Sequence, residues 1–318
     1  MSRKVIDLYL DLPTGDDLYL NRLSQYCLGT GPKARDGYRR FLQGAEAKAI
    51  GFTLDELDKI VAEQGEDEFK RVVTERAKQY NITMDRFMEQ LDELGVEWGF
   101  TGTHDRNNLR TAEIVSKYPT RLKGAAYIDP SKGMAAVREL EYCVKELGLS
   151  ALYLSPIRIG MPANDKRCYP LYAKAEELGI PVFIYTNMNL IIPLPYDLGH
   201  PRCIDEVACH FPDLKIMATV GGWPWIPDIV GLVMRHRNLY MNMEIMDPKK
   251  LTVPGSGFEM LLYAIEHNFP DKFTFASNWA MMGVPLVTLI RHVENLPLSD
   301  KTKENILYNN AKRFFELD

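Results

Sequence analysis

Tyr9 and Asp11 close an apolar run, "KVIDLYLDLP" (residues 4–13), that breaks at Pro13. A phenol can act as acid, as base or as hydrogen-bond donor to an oxyanion. A carboxylate in a partly dry pocket can carry a proton through a reaction. Each also has a plain reading: Tyr9 fills space, and Asp11 caps the turn before Leu12-Pro13. A second phenol, Tyr185, and the amide of Asn187 close "IPVFIYTN" (180–187), and "THDRNN" (103–108) supplies His104 and Arg106. Tyr9, Asp11, Tyr185 and His104 form the candidate proton-transfer set. Arg158, in "LSPIRIG", can clamp a carboxylate, because its planar fork meets two oxygens at once. Glu244 interrupts the apolar "LYMNMEI" (239–245). It reads either as a buried partner of Arg158 or another cation, or as a general base. Thr219, Trp223, Asn278 and Trp279 complete the residues that would line a substrate, with Trp223 of "GGWPW" (221–225) as a wall.

These residues fall at the ends of strand-like runs, which sets the architecture that must position them. From about residue 94, short runs rich in β-branched and aromatic residues alternate with amphipathic helical stretches. The runs are "VEWGFTG" (96–102), "LKGAAYI" (122–128), "SALYLSP" (150–156), "IPVFIYTN", "LKIMATV" (214–220), "LYMNMEI" and "KFTFASN" (272–278). With the first run they make eight. Apolar strands alternating with helices imply a parallel sheet, and eight such units imply an α/β fold, the (β/α)₈ TIM barrel. No glycine-rich phosphate loop follows a strand, which argues against a nucleotide-binding open sheet. Residues 14–93 break the rhythm. "DELDKIVAEQ", "DEFKRVVTERAKQY" and "TMDRFMEQLDELG" are helical, and Thr53 with Glu56 starts one of them as a cap. The expected organisation is one barrel domain over 1–318, with 14–93 a helical insertion that caps the mouth or makes a dimer contact.

Composition bounds the partners. Of 318 residues, 46% are hydrophobic and 25% charged, the balance of a soluble protein with a large core. A net charge of −5 offers no basic field for nucleic acid. The chain is expected to carry no targeting segment and no membrane span, since no apolar run approaches the ~20 residues a span needs. Five cysteines without a Cys-x-x-Cys pair suggest a reducing cytoplasm, not disulfides or a zinc knot.

The motifs "YPTRLKGAAYIDP" (118–130), "AEELGIPVFIYTN" (175–187), "HPRCIDEVACHFPDLKIMATVGGWPW" (200–225), "RNLYMNMEIMDP" (237–248), "DKFTFASNWAMMG" (271–283) and "NNAKRFFEL" (309–317) carry a resemblance. Residues 94–318 resemble the amidohydrolase-related family, in the branch of the aminocarboxymuconate-semialdehyde and aromatic acid decarboxylases. The resemblance implies a distorted (β/α)₈ barrel with a metal, usually zinc, at the strand ends. It also implies where the ligands would fall. The two histidines of strand 1 fall on Tyr9 and Asp11, that of strand 5 on Tyr185 and that of strand 6 on Thr219. The strand 8 aspartate falls on Asn278. Every ligand is changed, and of the replacements only Asp11 is a good donor for zinc.

Two functions follow, with an unusual metal site using Asp11, Tyr9 or Glu244 as a third possibility. The first is a metal-independent lyase, decarboxylase-like, or hydrolase, acting on a small carboxylated cyclic or aromatic compound. It would use no cofactor and would work as a homodimer. The second is an inactive homologue serving as a binding or scaffold subunit. The first is favoured because the replaced positions hold chemically capable groups, where a decayed site would collect apolar ones.

Overall fold

In a computed structural model, residues 4–13, 17–28, 44–80, 82–102, 106–191 and 193–317 are described. Eight strands run through it: β1 (Val5–Asp7), β2 (Val96–Thr101), β3 (Leu122–Tyr127), β4 (Ala151–Leu154), β5 (Val182–Tyr185), β6 (Ile216–Thr219), β7 (Leu239–Asn242) and β8 (Phe273–Thr274). They pair in chain order, every neighbour parallel. Two backbone hydrogen bonds, Leu8 N to Phe275 O (2.9 Å) and Asn278 N to Tyr9 O (2.9 Å), join the β8 segment to β1 and close the ring. The fold is the α/β TIM barrel expected from the eight-fold alternation.

The strands are apolar on both faces because both are covered. Outside, helices Asn108–Lys117, Met134–Lys145, Tyr169–Glu177, Arg202–His210, Ile226–Arg235, Glu259–His267 and Leu286–Glu294 follow β2 to β8 in turn. Their inner faces form one core with the outward strand residues. Inside, a second cluster fills the barrel, with Ile6, Leu8, Trp98, Phe100, Phe183 and Met217. Phe100 and Phe183 stack at 4.4 Å. Phe314 and Phe315, from the last helix, pack edge-on beneath Phe183 and Trp98. Gly99 is required where β1 meets β2, since a Cβ there would collide with the Leu10 side chain.

Two expected strands are shorter than the apolar runs that announced them. β7 ends at Asn242, which leaves Glu244 in the turn beyond it, not inside a strand. β8 pairs over only two residues, because the chain then leaves the sheet to build the mouth.

Between β1 and β2 lie helices Asp17–Cys27, Ala45–Ala49, Leu54–Gln64, Glu66–Tyr80 and Met84–Leu94. Thr53 and Glu56 form a reciprocal capping box at the third of these. The first four share a core of their own, built on Leu23, Ile50, Leu57, Phe69 and Val73. The fifth packs as the barrel's eighth outer helix, with Phe87 against Trp279 at 6.0 Å. Gly283, after β8, lies so close to Ala45 that a Cβ would strike its carbonyl oxygen. The helical group therefore touches the barrel at the rim where the strands end. No helix among the described residues is long and apolar enough to cross a membrane.

Candidate active site

Five non-glycine residues among those described have positive φ, and four of them, Arg106, Val220, Ile245 and Asn278, follow β2, β6, β7 and β8. A left-handed Val or Ile is a steric outlier, and such strain concentrates at functional sites. The C-terminal rim is thus the strained end of this barrel.

Three phenols fill the centre of that end. Tyr9 and Tyr127 each meet Tyr153, with ring centroids 6.0 and 5.2 Å away. The Tyr9 hydroxyl faces that of Tyr127 and favours its ionised form. The Arg106 guanidinium lies 5.1 Å from the Tyr127 ring centroid. Tyr153, wholly buried, crosses to the opposite wall. Its hydroxyl donates to Glu244 Oε1 at 2.6 Å and lies 3.4 Å from the Thr219 hydroxyl. Burial drives Tyr9 and Tyr153 well above an ordinary phenol, and the negative field of Glu244 adds to it. All three phenols are neutral donors at physiological pH.

The carboxylates beside them differ in kind. Glu244 is 1% exposed, and burial pushes it up to about 8 against the opposing hydroxyls of Tyr153 and Thr219. Asp11 and Asp7 push the same way. Asp7, fully buried, is raised by burial to about 6, although its Oδ1 accepts from the N–H groups of Tyr9 (3.0 Å) and Ser277 (2.8 Å). Asp11 turns to the rim instead. Its Oδ2 accepts from Ala280 N (2.9 Å) and Met281 N (3.4 Å), and its carbonyl accepts from the Trp279 indole (2.9 Å). Among the described residues, four buried side-chain atoms have no hydrogen-bond partner: Asp7 Oδ2, Asn242 Nδ2, Glu244 Oε2 and Asn278 Oδ1. All four belong to the arc of wall formed by β7, β8 and β1. Buried polar atoms without partners are uncommon and costly.

The sequence candidates land in three groups. Tyr9, Thr219 and Glu244 meet in the phenol layer, with Arg106 over its edge. Glu244 is paired with the Tyr153 phenol, not with Arg158; this corrects the expected ion pair. Arg158 is exposed after β4, yet near enough for its charge to act on Tyr127. Asn187, Trp223 and Trp279 hold backbone. Asn187 bonds Val220 O and Met188 N, the Trp223 indole bonds Ser256 O, and Trp279 bonds Asp11. Asn278 sits on the rim in a left-handed conformation. Tyr185 turns away into an apolar pocket with Ile157, Leu198 and Val220, its hydroxyl donating to Met188 O at 3.4 Å. His104 lies outside the described residues. Sequence reasoning missed Tyr127 and Tyr153. The signal was present, a phenol near the end of a barrel strand, the same signal that singled out Tyr185.

The five positions where the family resemblance puts metal ligands can be tested on these contacts. Asp11 gives one carboxylate oxygen to two backbone N–H groups. Tyr9 is a neutral phenol, and Tyr185 donates its proton to a carbonyl. Thr219 and Asn278 offer uncharged oxygens. A divalent ion of the zinc type needs deprotonated or imidazole donors, so this set does not suit one. Among the described residues a single His/Cys/Asp/Glu trio brings its ligand atoms within 4.8 Å: Asp205, Cys209 and His236. It lies on the outer helices, and the Arg235 guanidinium is bound into it, 3.0 Å from Asp205.

Comparison with known proteins bears on the same site. A curated gamma-resorcylate decarboxylase of a Polaromonas species is 25% identical over 260 residues, 68% of this chain and 77% of that protein. An uncharacterized TIM-barrel protein from Bordetella bronchiseptica has the same fold, with a TM-score of 0.69, 24% identity and 99% of each chain covered. A dihydroxybenzoic acid decarboxylase from Polaromonas, solved with manganese and 2-nitroresorcinol, aligns at a TM-score of 0.57 and 20% identity, over 83% of this chain and 94% of that one. The model of the amidohydrolase family matches residues 62–317. That stretch spans β2 to β8 and well over half of the sequence, and the chain belongs to the amidohydrolase family.

Proposed function

We propose that this protein is a decarboxylase of small carboxylated aromatic acids that works without a bound metal. The observation that carries the reading is the layer of neutral proton donors, Tyr9, Tyr127, Tyr153 and Glu244, where related barrels bind an ion. The similarity to a gamma-resorcylate decarboxylase supports the substrate class.

The chemistry is consistent with those groups. Loss of CO₂ from an aromatic acid needs a proton delivered to the ring carbon and an environment that does not over-stabilise the carboxylate. A dry layer of phenols supplies hydrogen bonds without full charge. Arg106 and Arg158, at the edge of the layer, attract the anionic substrate and hold its carboxylate or a ring oxygen. Burial keeps Glu244 protonated at neutral pH, which limits repulsion of that anion. Asp11 braces the rim, and His104, like Tyr9, stays a candidate for proton transfer. Tyr185 becomes a wall residue in this reading. The helical segment within 14–93 would close over the mouth, and a cytoplasmic homodimer is the expected working form.

The test is incubation with a panel of hydroxybenzoates, including 2,6-dihydroxybenzoate and 5-carboxyvanillate, with CO₂ and product followed together. The expected outcome is equimolar CO₂ and decarboxylated phenol from at least one member. Addition of water to a substrate, or no turnover across the panel, would contradict the reading.

A further inference from the structure

Glu244 and Asp7 each have one hydrogen-bonded and one unpartnered carboxyl oxygen, and of the two only Glu244 is bonded to a phenol of the mouth. Oε1 accepts the Tyr153 hydroxyl at 2.6 Å, while Oε2 is buried and has no hydrogen-bond partner among the described residues. A carboxylate would leave charge on an oxygen without a hydrogen-bond partner among the described residues. A carboxylic acid fits, because its carbonyl oxygen accepts from Tyr153 and its O–H sits on Oε2, free to donate. Tyr153 is held in turn by its contacts with Tyr9 and Tyr127 and by the Thr219 hydroxyl. Glu244 is also near enough for its charge to act on the two phenols that keep partial exposure, Tyr9 and Tyr127.

Resting on the decarboxylase reading, we propose that Glu244 is the catalytic acid that protonates the substrate ring, and that Tyr153 is the positioning residue that fixes the proton on Oε2. In the step, the Oε2–H bond breaks and its proton forms a C–H bond at the ring carbon bearing the carboxylate. A ring π pair supplies the electrons. The bond from that carbon to the carboxylate then breaks, its electron pair restores aromaticity, and CO₂ leaves. Glu244, now a carboxylate, takes one proton from water. The sum is one arenecarboxylate and one proton to one arene and one CO₂.

The proton's affinity for this site is set by its whole surroundings. Burial dominates, Asp11 and Asp7 from the β1 side act in the same direction, and the net value is about 8. Tyr153 from β4 and Thr219 from β6 oppose, because their hydroxyls favour the carboxylate. Tyr9 and Tyr127 face it as neutral phenols. The active form is thus present below about pH 8 and lost as pH rises through it. Tyr153→Phe removes an interaction that favours ionisation, so it moves this alkaline limb to higher pH.

The experiment measures kcat against pH for the wild type, Glu244→Gln and Tyr153→Phe. It is paired with isotope-edited infrared titration of the buried carboxyl C=O band. Glu244→Gln should lose about 10²–10⁴ in kcat, lack the alkaline limb and lack the band that titrates near 8. Tyr153→Phe should turn over more slowly than the wild type but faster than Glu244→Gln, with its alkaline limb displaced upward. Glu244→Gln turning over near the wild-type rate, with CO₂ still released, overturns the assignment of Glu244 while the decarboxylase reading stands. A limb that Tyr153→Phe leaves in place or lowers overturns the role of Tyr153. A wild type inactive on the whole panel overturns the decarboxylase reading instead. The infrared band then decides on its own whether Glu244 holds its proton at pH 7, and absence of the band overturns the inference even if the Gln variant fails to fold.

Discussion

The lower and upper halves of this barrel's interior are built from the same residue class and do opposite things. Below, Phe100, Phe183, Phe314 and Phe315 pack ring on ring with no polar atom to satisfy. Above, Tyr9, Tyr127 and Tyr153 pack as closely, but each brings a hydroxyl into a dry space beside Glu244 and Asp7. Every buried polar side-chain atom without a partner among the described residues lies in this upper half or on its rim. Adding one oxygen to a ring changes a plug into a donor. The lower layer holds the eight strands together, and the upper layer gives up local stability where buried polar atoms stay unpartnered.

The comparison breaks most visibly at the bottom. Phe100→Ala removes a ring that is 1% exposed and stacked at 4.4 Å on Phe183. It should cost about 3–5 kcal/mol of folding stability, read by denaturant unfolding, with turnover per folded molecule nearly unchanged. A large loss of kcat in the folded fraction would show that the two layers are not separable.

At the top the expected effects reverse. Tyr9→Phe keeps the ring and removes the hydroxyl that faces Tyr127. It should lower kcat by about 10²-fold or more and leave the unfolding midpoint close to that of the wild type. Equal rates would make Tyr9 a space-filler after all.

A third effect concerns Asp7, where the sign follows from burial. Its folded pKa, about 6, lies above its ordinary value of 3.8. The fold therefore favours the protonated form. The associated stability is fully present below about pH 4 and is lost as pH rises to about 6. Two units correspond to about 3 kcal/mol. In Asp7→Asn the amide oxygen can still accept from Tyr9 and Ser277, and this part of the pH dependence should vanish. A stability profile between pH 4 and 6 that matches the wild type would show that Asp7 is not held against its charge.

The barrel was legible because eight apolar runs, each followed by a helical stretch, leave few other ways to cover both faces of a sheet. The site was legible only in part, for particular reasons. Glu244 stood out because a carboxylate in an apolar run is expensive unless it is used. Tyr127 and Tyr153 did not, since a phenol in "LKGAAYI" or "SALYLSP" looks like packing until the barrel closes and points its hydroxyl inward. Tyr185 was placed on the right strand at the right end, yet its ring turns into the loop at Met188. Strand position fixes where a side chain starts, and neighbours decide where its polar tip goes. Asp11 shows the same limit: the carboxylate was visible, and its tie to the backbone of Ala280 was not.

The central claim is that phenols and a protonated acid stand in for the ion of related barrels. It is tested most directly by measuring CO₂ release before and after exhaustive chelation, and again after manganese is restored, with metal content determined on the same samples. The predicted result is turnover unaffected by the chelator and unaffected by added manganese, with well under one equivalent of bound metal per chain. Loss of activity on chelation with recovery on adding manganese, together with roughly one tightly held equivalent as expected for a built centre, would contradict it.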